Sequence, residues 1–270
     1  MAAQFNKKER SAKSIAFVHH KGGTGKTTTC INVAGWLSKL RKRVLVVDMD
    51  PQGNATAGLG IDKASLDGSL YDVFFNGVAI GDIILETESG VYLAPSSLEL
   101  LAAETHLVDQ ANCTNILWKH LKNVESYFDY ILVDVPPGST LLMINGIVAS
   151  DNIIIPLDSG VFSFETMETL KTLIVDLNEA LGVEANVMML LLREYPGGGL
   201  FSNPTRRIKG MLAKFLEDND IPEVEIVKIP FSKKIFEAQM RGVPISHFAP
   251  RSKIGKAYRK VAREIIKSDQ

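Results

Sequence analysis

The sequence predicts an α/β protein built on a single doubly wound, mostly parallel sheet flanked by helices. Three observations carry that prediction. Short apolar, β-branched runs recur along the chain at Ile15–Val18, Val44–Val47, Val91–Ala94, Tyr130–Val133, Ile153–Ile155, Val187–Leu192 and Glu225–Ile229. Longer stretches of helical periodicity separate them, and strands that alternate with helices need right-handed crossovers, which cover both faces of a parallel sheet. The chain has 270 residues, of which 46% are apolar, enough to bury a substantial core. The polar segment 1–13 reads as a short N-terminal tail and 14–270 as one domain. Gly197–Gly199 with Pro196 and Pro204 marks a loop, with strand and helix patterns continuing beyond it.

Taken in order, Ile15–Val18 is the first strand, His19–Thr24 a glycine-containing turn, and Gly25 opens a helix through Leu40. A strand, a glycine turn and a helix N-terminus form a phosphate-binding loop, the P-loop of nucleoside triphosphatases. Gly22, Gly23 and Gly25 let backbone N–H groups of the loop, including those of Thr24 and Thr28, converge on phosphate oxygens. The helix dipole favours the anion, Lys26 reaches the terminal phosphates and Thr27 is a ligand for Mg²⁺.

The next strand, Val44–Val47, runs into Asp48, Met49 and Asp50. Two carboxylates at that spacing, just beyond a strand end, address the shell of a metal ion and an attacking water. Tyr130–Val133 ends in Asp134, the position from which an acidic residue orients Mg²⁺. Pro136, Pro137 and Gly138 follow as a stiff turn. Each of these motifs lies at the carboxyl end of a strand, where ligands bind in open parallel sheets.

The loop departs from the common GxxxxGK[ST] pattern, since His20 stands at the first glycine position and Lys21 follows it. KGGTGKT resembles the deviant Walker A motif of the ParA/MinD superfamily. DMDPQGN (Asp48–Asn54) resembles switch I of its chromosomal ParA (Soj) branch, and FDYILVDVPPG (Phe128–Gly138) its Walker B strand and switch II. Leu93–Leu107, Ala149–Leu157 and Ile229–Ile265 resemble further blocks of that family. The resemblance implies a P-loop ATPase fold, ATP and Mg²⁺ as cofactors, and a homodimer that sandwiches ATP. It implies that Lys21 reaches the partner's phosphates, Asp50 positions the attacking water, Asp48 belongs to the metal side, Gly138 senses the γ-phosphate and a loop at Pro230 closes over the adenine. It also implies slow hydrolysis stimulated by a ParB-like protein. Lys21, Lys26 and Asp50 are thus the expected catalytic residues, and Thr27, Asp48 and Asp134 the expected metal set.

The whole chain carries a net charge of −1, but residues 193–270 hold 16 Lys or Arg against 9 Asp or Glu. Lys233, Lys234, Arg241, Arg251, Lys253 and Lys256 lead a basic run that suits either a solvated helix face or sequence-independent binding to DNA. The ParA resemblance implies the second, although the family's usual arginine-bearing loop reads FSKKIFEAQ here. The tail is too short for a helix-turn-helix, and the chain ends without the amphipathic tail of MinD proteins, so no membrane partner is expected. Cys30 and Cys113 form no CxxC, which argues against a metal cluster of the nitrogenase iron protein type and suits a reducing compartment. A cytoplasmic, nucleoid-associated protein is expected. His19, His20, His106, His120 and His247 show no metal spacing.

Overall fold

The computed structural model describes residues 11–108, 112–138, 140–158, 186–193 and 224–269, together with Gly210 and Lys214. Among these residues an eight-stranded sheet runs in the order β3-β4-β2-β5-β1-β6-β7-β8. The strands are β1 (Lys13–Phe17), β2 (Val44–Asp48), β3 (Leu85–Glu86), β4 (Tyr92–Ala94), β5 (Tyr130–Asp134), β6 (Asn152–Asp158), β7 (Val187–Arg193) and β8 (Glu225–Ile229). All neighbouring pairs are parallel except β3 with β4. The seven apolar runs of the sequence are thus seven strands. The eighth, β3, is a two-residue antiparallel edge, too short to leave a period-two pattern. The Gly197–Gly199 loop with Pro196 and Pro204 lies outside the described residues.

Alternate residues of each central strand enter opposite cores, as the strand's period of two requires. Ala16, Leu45, Val47, Ile131, Val133, Ile153 and Ile155 face one core. Above them lie α3 (Leu70–Phe75), α4 (Leu100–Val108), α5 (Ile116–Leu121) and α6 (Leu141–Val148). Ile15, Phe17, Val44, Val46, Leu132, Ile154 and Leu191 face the other. It is closed by α1 (Lys26–Lys39), α2 (Asn54–Gly58), α7 (Lys234–Met240), α8 (Ile245–Phe248) and α9 (Lys253–Lys267).

α9 shows how sequence pattern becomes placement. Ile254, Tyr258, Val261, Ala262 and Ile265 recur at helical spacing and are buried, while Lys253, Lys256, Arg259, Lys260 and Arg263 are exposed. Ser252 starts the helix by accepting the Gly255 N–H at 3.1 Å. α1 and α9 pack side by side, and α8 is tied to α1 where the Asn32 Oδ1 accepts the Ile245 N–H at 2.6 Å. The C-terminal block is thereby held against the helix that opens at the phosphate loop.

Candidate functional site

β1 is central, flanked by β5 and β6, so the loop that leaves it emerges mid-sheet between two other strand ends. α1 begins one residue later than the sequence pattern suggests, because Gly25 is left-handed at φ 94° and caps the helix rather than joining it. No side chain caps this N-terminus, so its first N–H groups point out of the helix with nothing from the helix's own cap to satisfy them. Gly22 and Gly23 are exposed, and a Cβ added at either would meet no protein atom within 4 Å. These glycines therefore relieve no crowding within the chain. They leave open the concave side of the loop, which is the room a polyphosphate needs.

Lys26 is only 6% exposed although it is a lysine. Its ammonium donates to the carbonyls of His19 at 3.1 Å and Lys21 at 3.4 Å. Burial lowers its pKa, opposed by the negative charges of Asp134 and Asp50. The loop thus stores a cation at its centre. Lys21, by contrast, is exposed at the rim, and Thr24 Oγ1 donates to its carbonyl at 3.4 Å. Gly138 N–H donates to the His20 carbonyl at 2.8 Å, so the turn after β5 is fastened directly to the phosphate loop.

The negative charges of Asp134 and Asp50 act on Lys26, and Asp48 lies beside Asp134. Asp48 and Asp134 are register partners at the ends of adjacent parallel strands, and both are fully buried. Neither oxygen of Asp134 has a hydrogen-bond partner of normal geometry. Burial pushes its pKa well up, helped by the charges of Asp48 and Asp50 and opposed by the Thr27 hydroxyl and Lys26. Two orphaned oxygens in the core, next to a threonine hydroxyl at a phosphate loop, fit a divalent cation. Among the described residues no three His, Cys, Asp or Glu side chains are grouped to hold a metal alone. Mg²⁺ takes one or two protein ligands and completes its shell with phosphate and water.

Asp48 is hydrogen-bonded within the acidic turn. Its Oδ2 accepts the Thr56 N–H and hydroxyl, each at 2.7 Å, and its Oδ1 accepts the Asp50 N–H at 3.3 Å. Burial still raises its pKa to about 6, these hydrogen bonds opposing. Asp48 therefore holds the acidic turn in shape, and Ser96 joins it by donating to the Asp50 carbonyl at 2.7 Å. Asp50 lies in the cleft, its Oδ1 accepting the Gln52 N–H at 2.9 Å.

A cleft of about 640 Å³ opens above the loop, lined by Gly22, Gly23, Gly25, Lys26, Thr27, Thr28, Asp50, Gln52, Asn54 and Pro137 from the predicted motifs and by Ala57 and Gly58 of α2. Sequence reasoning missed the rest of its wall. Arg193, the last residue of β7, lines it and donates to the Gly23 carbonyl at 3.2 Å, and its guanidinium lies over Gly25. From α7 come Phe236, Gln239 and Met240, and Gln239 donates to the Thr28 hydroxyl at 3.2 Å. Pro230 follows β8 directly and is not among the lining residues, so the C-terminal wall is made by the α7 side chains. The predicted basic residues Lys233, Lys234, Arg241, Arg251, Lys253 and Lys256 are all exposed. Arg241 stacks over Phe248 at 5.2 Å.

The chain matches the AAA domain family model over residues 12–187. It is 34% identical over 258 residues to the sporulation initiation inhibitor protein Soj of Bacillus subtilis, covering 94% of this chain and 98% of that one. It is 31% identical to the chromosome partitioning protein ParA of Myxococcus xanthus, covering 94% and 88%. Among solved structures it resembles cobyrinic acid a,c-diamide synthase from Mycobacterium smegmatis with bound ATP analogue and magnesium. The TM-score is 0.79 at 25% identity, over 96% of each chain. On its motifs, its fold and these relatives, the chain belongs to the Soj/ParA family of P-loop ATPases.

Proposed function

We propose that this protein is a Mg²⁺-dependent ATPase switch of the partition type. ATP binding drives a sandwich homodimer, the dimer holds DNA without sequence preference, and a ParB-like protein stimulates a slow hydrolysis that releases it. The observation that carries the reading is the phosphate loop itself, with the buried Lys26 ammonium facing the Asp134 and Asp50 charges at the floor of an open cleft.

The reaction is in-line attack of water on the γ-phosphate. Lys26 offsets charge on the terminal phosphates, the loop N–H groups hold them in place, and Asp50 orients the water. Thr27 and Asp134 would hold Mg²⁺, which neutralises charge on the β- and γ-phosphate oxygens when bound. Arg193 and the α7 side chains close the cleft around the nucleotide. Lys21, exposed on the rim, is available to reach a facing subunit's phosphates. Phe236 and Met240, 64% and 89% exposed at the same mouth, supply apolar area that a second copy would cover. The basic surface of α7 to α9 supplies the DNA contacts, and chromosome or plasmid partitioning is the cellular role.

Two results follow. Gly22→Ala meets open space, so it leaves thermal stability within about 0.5 kcal/mol of wild type. It weakens Mg-ATP binding about tenfold or more, because the new methyl occupies the phosphate's approach; both are read from melting curves and titration with a fluorescent ATP analogue. The switch itself is tested by binding to unrelated DNA duplexes with no nucleotide, ADP, ATP or a non-hydrolysable analogue, across salt concentrations. Salt-sensitive binding confined to ATP and the analogue supports it. Equal binding in every state, or none in any, removes the DNA-switch element.

A further inference from the structure

His19 and His20 open the phosphate loop, and neither is a residue type that its motif calls for. The geometry gives His19 a task. Its side chain is 7% exposed, and Nδ1 accepts the Lys21 backbone N–H at 3.0 Å. Its own carbonyl accepts the Lys26 ammonium at 3.1 Å. A backbone N–H only donates, so Nδ1 must carry no proton and the ring proton sits on Nε2. Burial, with the positive charges of Lys26, His20 and Lys21 nearby, pushes the ring's pKa down to about 4, in keeping with a neutral acceptor.

We infer that His19 is the positioning residue of the phosphate loop, one side chain and one carbonyl that together fix the backbone at Lys21 and the ammonium of Lys26. The inference rests on the ATP-binding reading and deepens it. The imidazole pins the peptide from which the exposed Lys21 side chain departs. Without that acceptor the Lys21 N–H loses its partner, and the turn that aims the loop's glycine N–H groups loosens. His19 touches no reacting atom in this arrangement and acts only through the two lysines and the loop.

The test uses the full chain with His19→Ala, His19→Asn and His19→Gln, measuring Mg-ATP affinity with a fluorescent analogue and melting temperature without nucleotide. The Asn Oδ1 lies as many bonds from Cα as the His Nδ1, whereas the Gln oxygen lies one bond further. Gln is nearer to His in volume. A packing role therefore makes His19→Gln the better replacement, and an acceptor role makes His19→Asn the better one. The expected result is affinity about tenfold weaker in the Ala and Gln variants, the value of one lost neutral hydrogen bond, and within about threefold of wild type in the Asn variant. Equal affinities for Asn and Gln, a better Gln, or an unaffected Ala variant would overturn the assignment. Should His19→Ala not fold, the Asn and Gln pair decides alone. Lys26→Ala is measured in parallel. If it binds ATP normally, the ATP-binding reading fails and the inference with it. If it loses ATP while His19→Ala does not, only the positioning role falls.

Discussion

Asp134→Asn is expected to make the nucleotide-free protein more stable and its ATP turnover at least about a hundredfold slower. Both effects come from one buried carboxylate. Asp134 is fully buried at the end of β5, has no hydrogen-bond partner of normal geometry for either oxygen, and sits among the negative charges of Asp48 and Asp50. Such a group costs folding free energy that a neutral isostere avoids. Lys26 loses part of its compensation in the variant, which offsets some of the gain. The net expectation is about 1–2 kcal/mol, or roughly 2–4 °C in melting temperature for a chain of this size. Turnover falls because a neutral amide is a poor partner for Mg²⁺ and its waters.

The gain also depends on pH in a fixed direction. A carboxyl whose pKa is raised in the fold binds more protons folded than unfolded. Its contribution is present below the ordinary carboxylate range, near 3.8, and is lost as pH rises through the folded value. The advantage of Asp134→Asn over wild type is therefore larger at pH 7 than at pH 4. A variant that melts lower than wild type, or whose advantage shrinks with rising pH, would mean that Asp134 is a satisfied structural residue.

Asp50→Ala separates binding from chemistry. Asp50 lies in the cleft, and the hydrogen bonds that shape its turn are made largely by its backbone, with Ser96 on its carbonyl and its N–H on Asp48. Removing the side chain costs the single contact from the Gln52 N–H and leaves the Asp48–Thr56 bonds in place. Mg-ATP affinity is expected to stay within about threefold of wild type, since the phosphates rest on the loop, and ATP-dependent dimerisation is retained. Turnover falls about 10²–10⁴-fold, the range for losing a positioned acid–base group. Phosphate release under saturating ATP, with sizing of the ATP-bound form, reads both. Loss of ATP-dependent dimerisation with unchanged turnover per bound nucleotide would move Asp50 out of the chemistry.

Much of this site was legible in the sequence because its parts are local. Gly22, Gly23, Gly25, Lys26 and Thr27 lie in one short turn, where spacing alone brings N–H groups and ammonium together. Asp48 and Asp134 were legible as acids at strand ends, and the parallel register of β2 with β5 makes them neighbours. The parts that were missed are the ones that topology supplies. Arg193 is an isolated basic residue ending an apolar run, and only the order β1-β6-β7 carries it to Gly23 and Gly25. Gln239 and Met240 reach the cleft because α7 returns beside α1, which no periodicity encodes. His19 could have been suspected from its place next to the loop. Its Nδ1 bond to a backbone N–H two residues on needs the local φ and ψ of the turn as well as an acceptor side chain, and only the second is visible in the sequence.

The central claim is that the loop from His19 to Thr28 binds Mg-ATP. Equilibrium titration of ATP into the wild-type chain, in Mg²⁺ and again in excess EDTA, with Lys26→Ala alongside, tests it most directly. The account predicts one saturable site per chain, weakened when Mg²⁺ is chelated and lost in Lys26→Ala. Binding that is indifferent to EDTA and equally tight in Lys26→Ala would contradict it, because the triphosphate would then be held somewhere other than this loop.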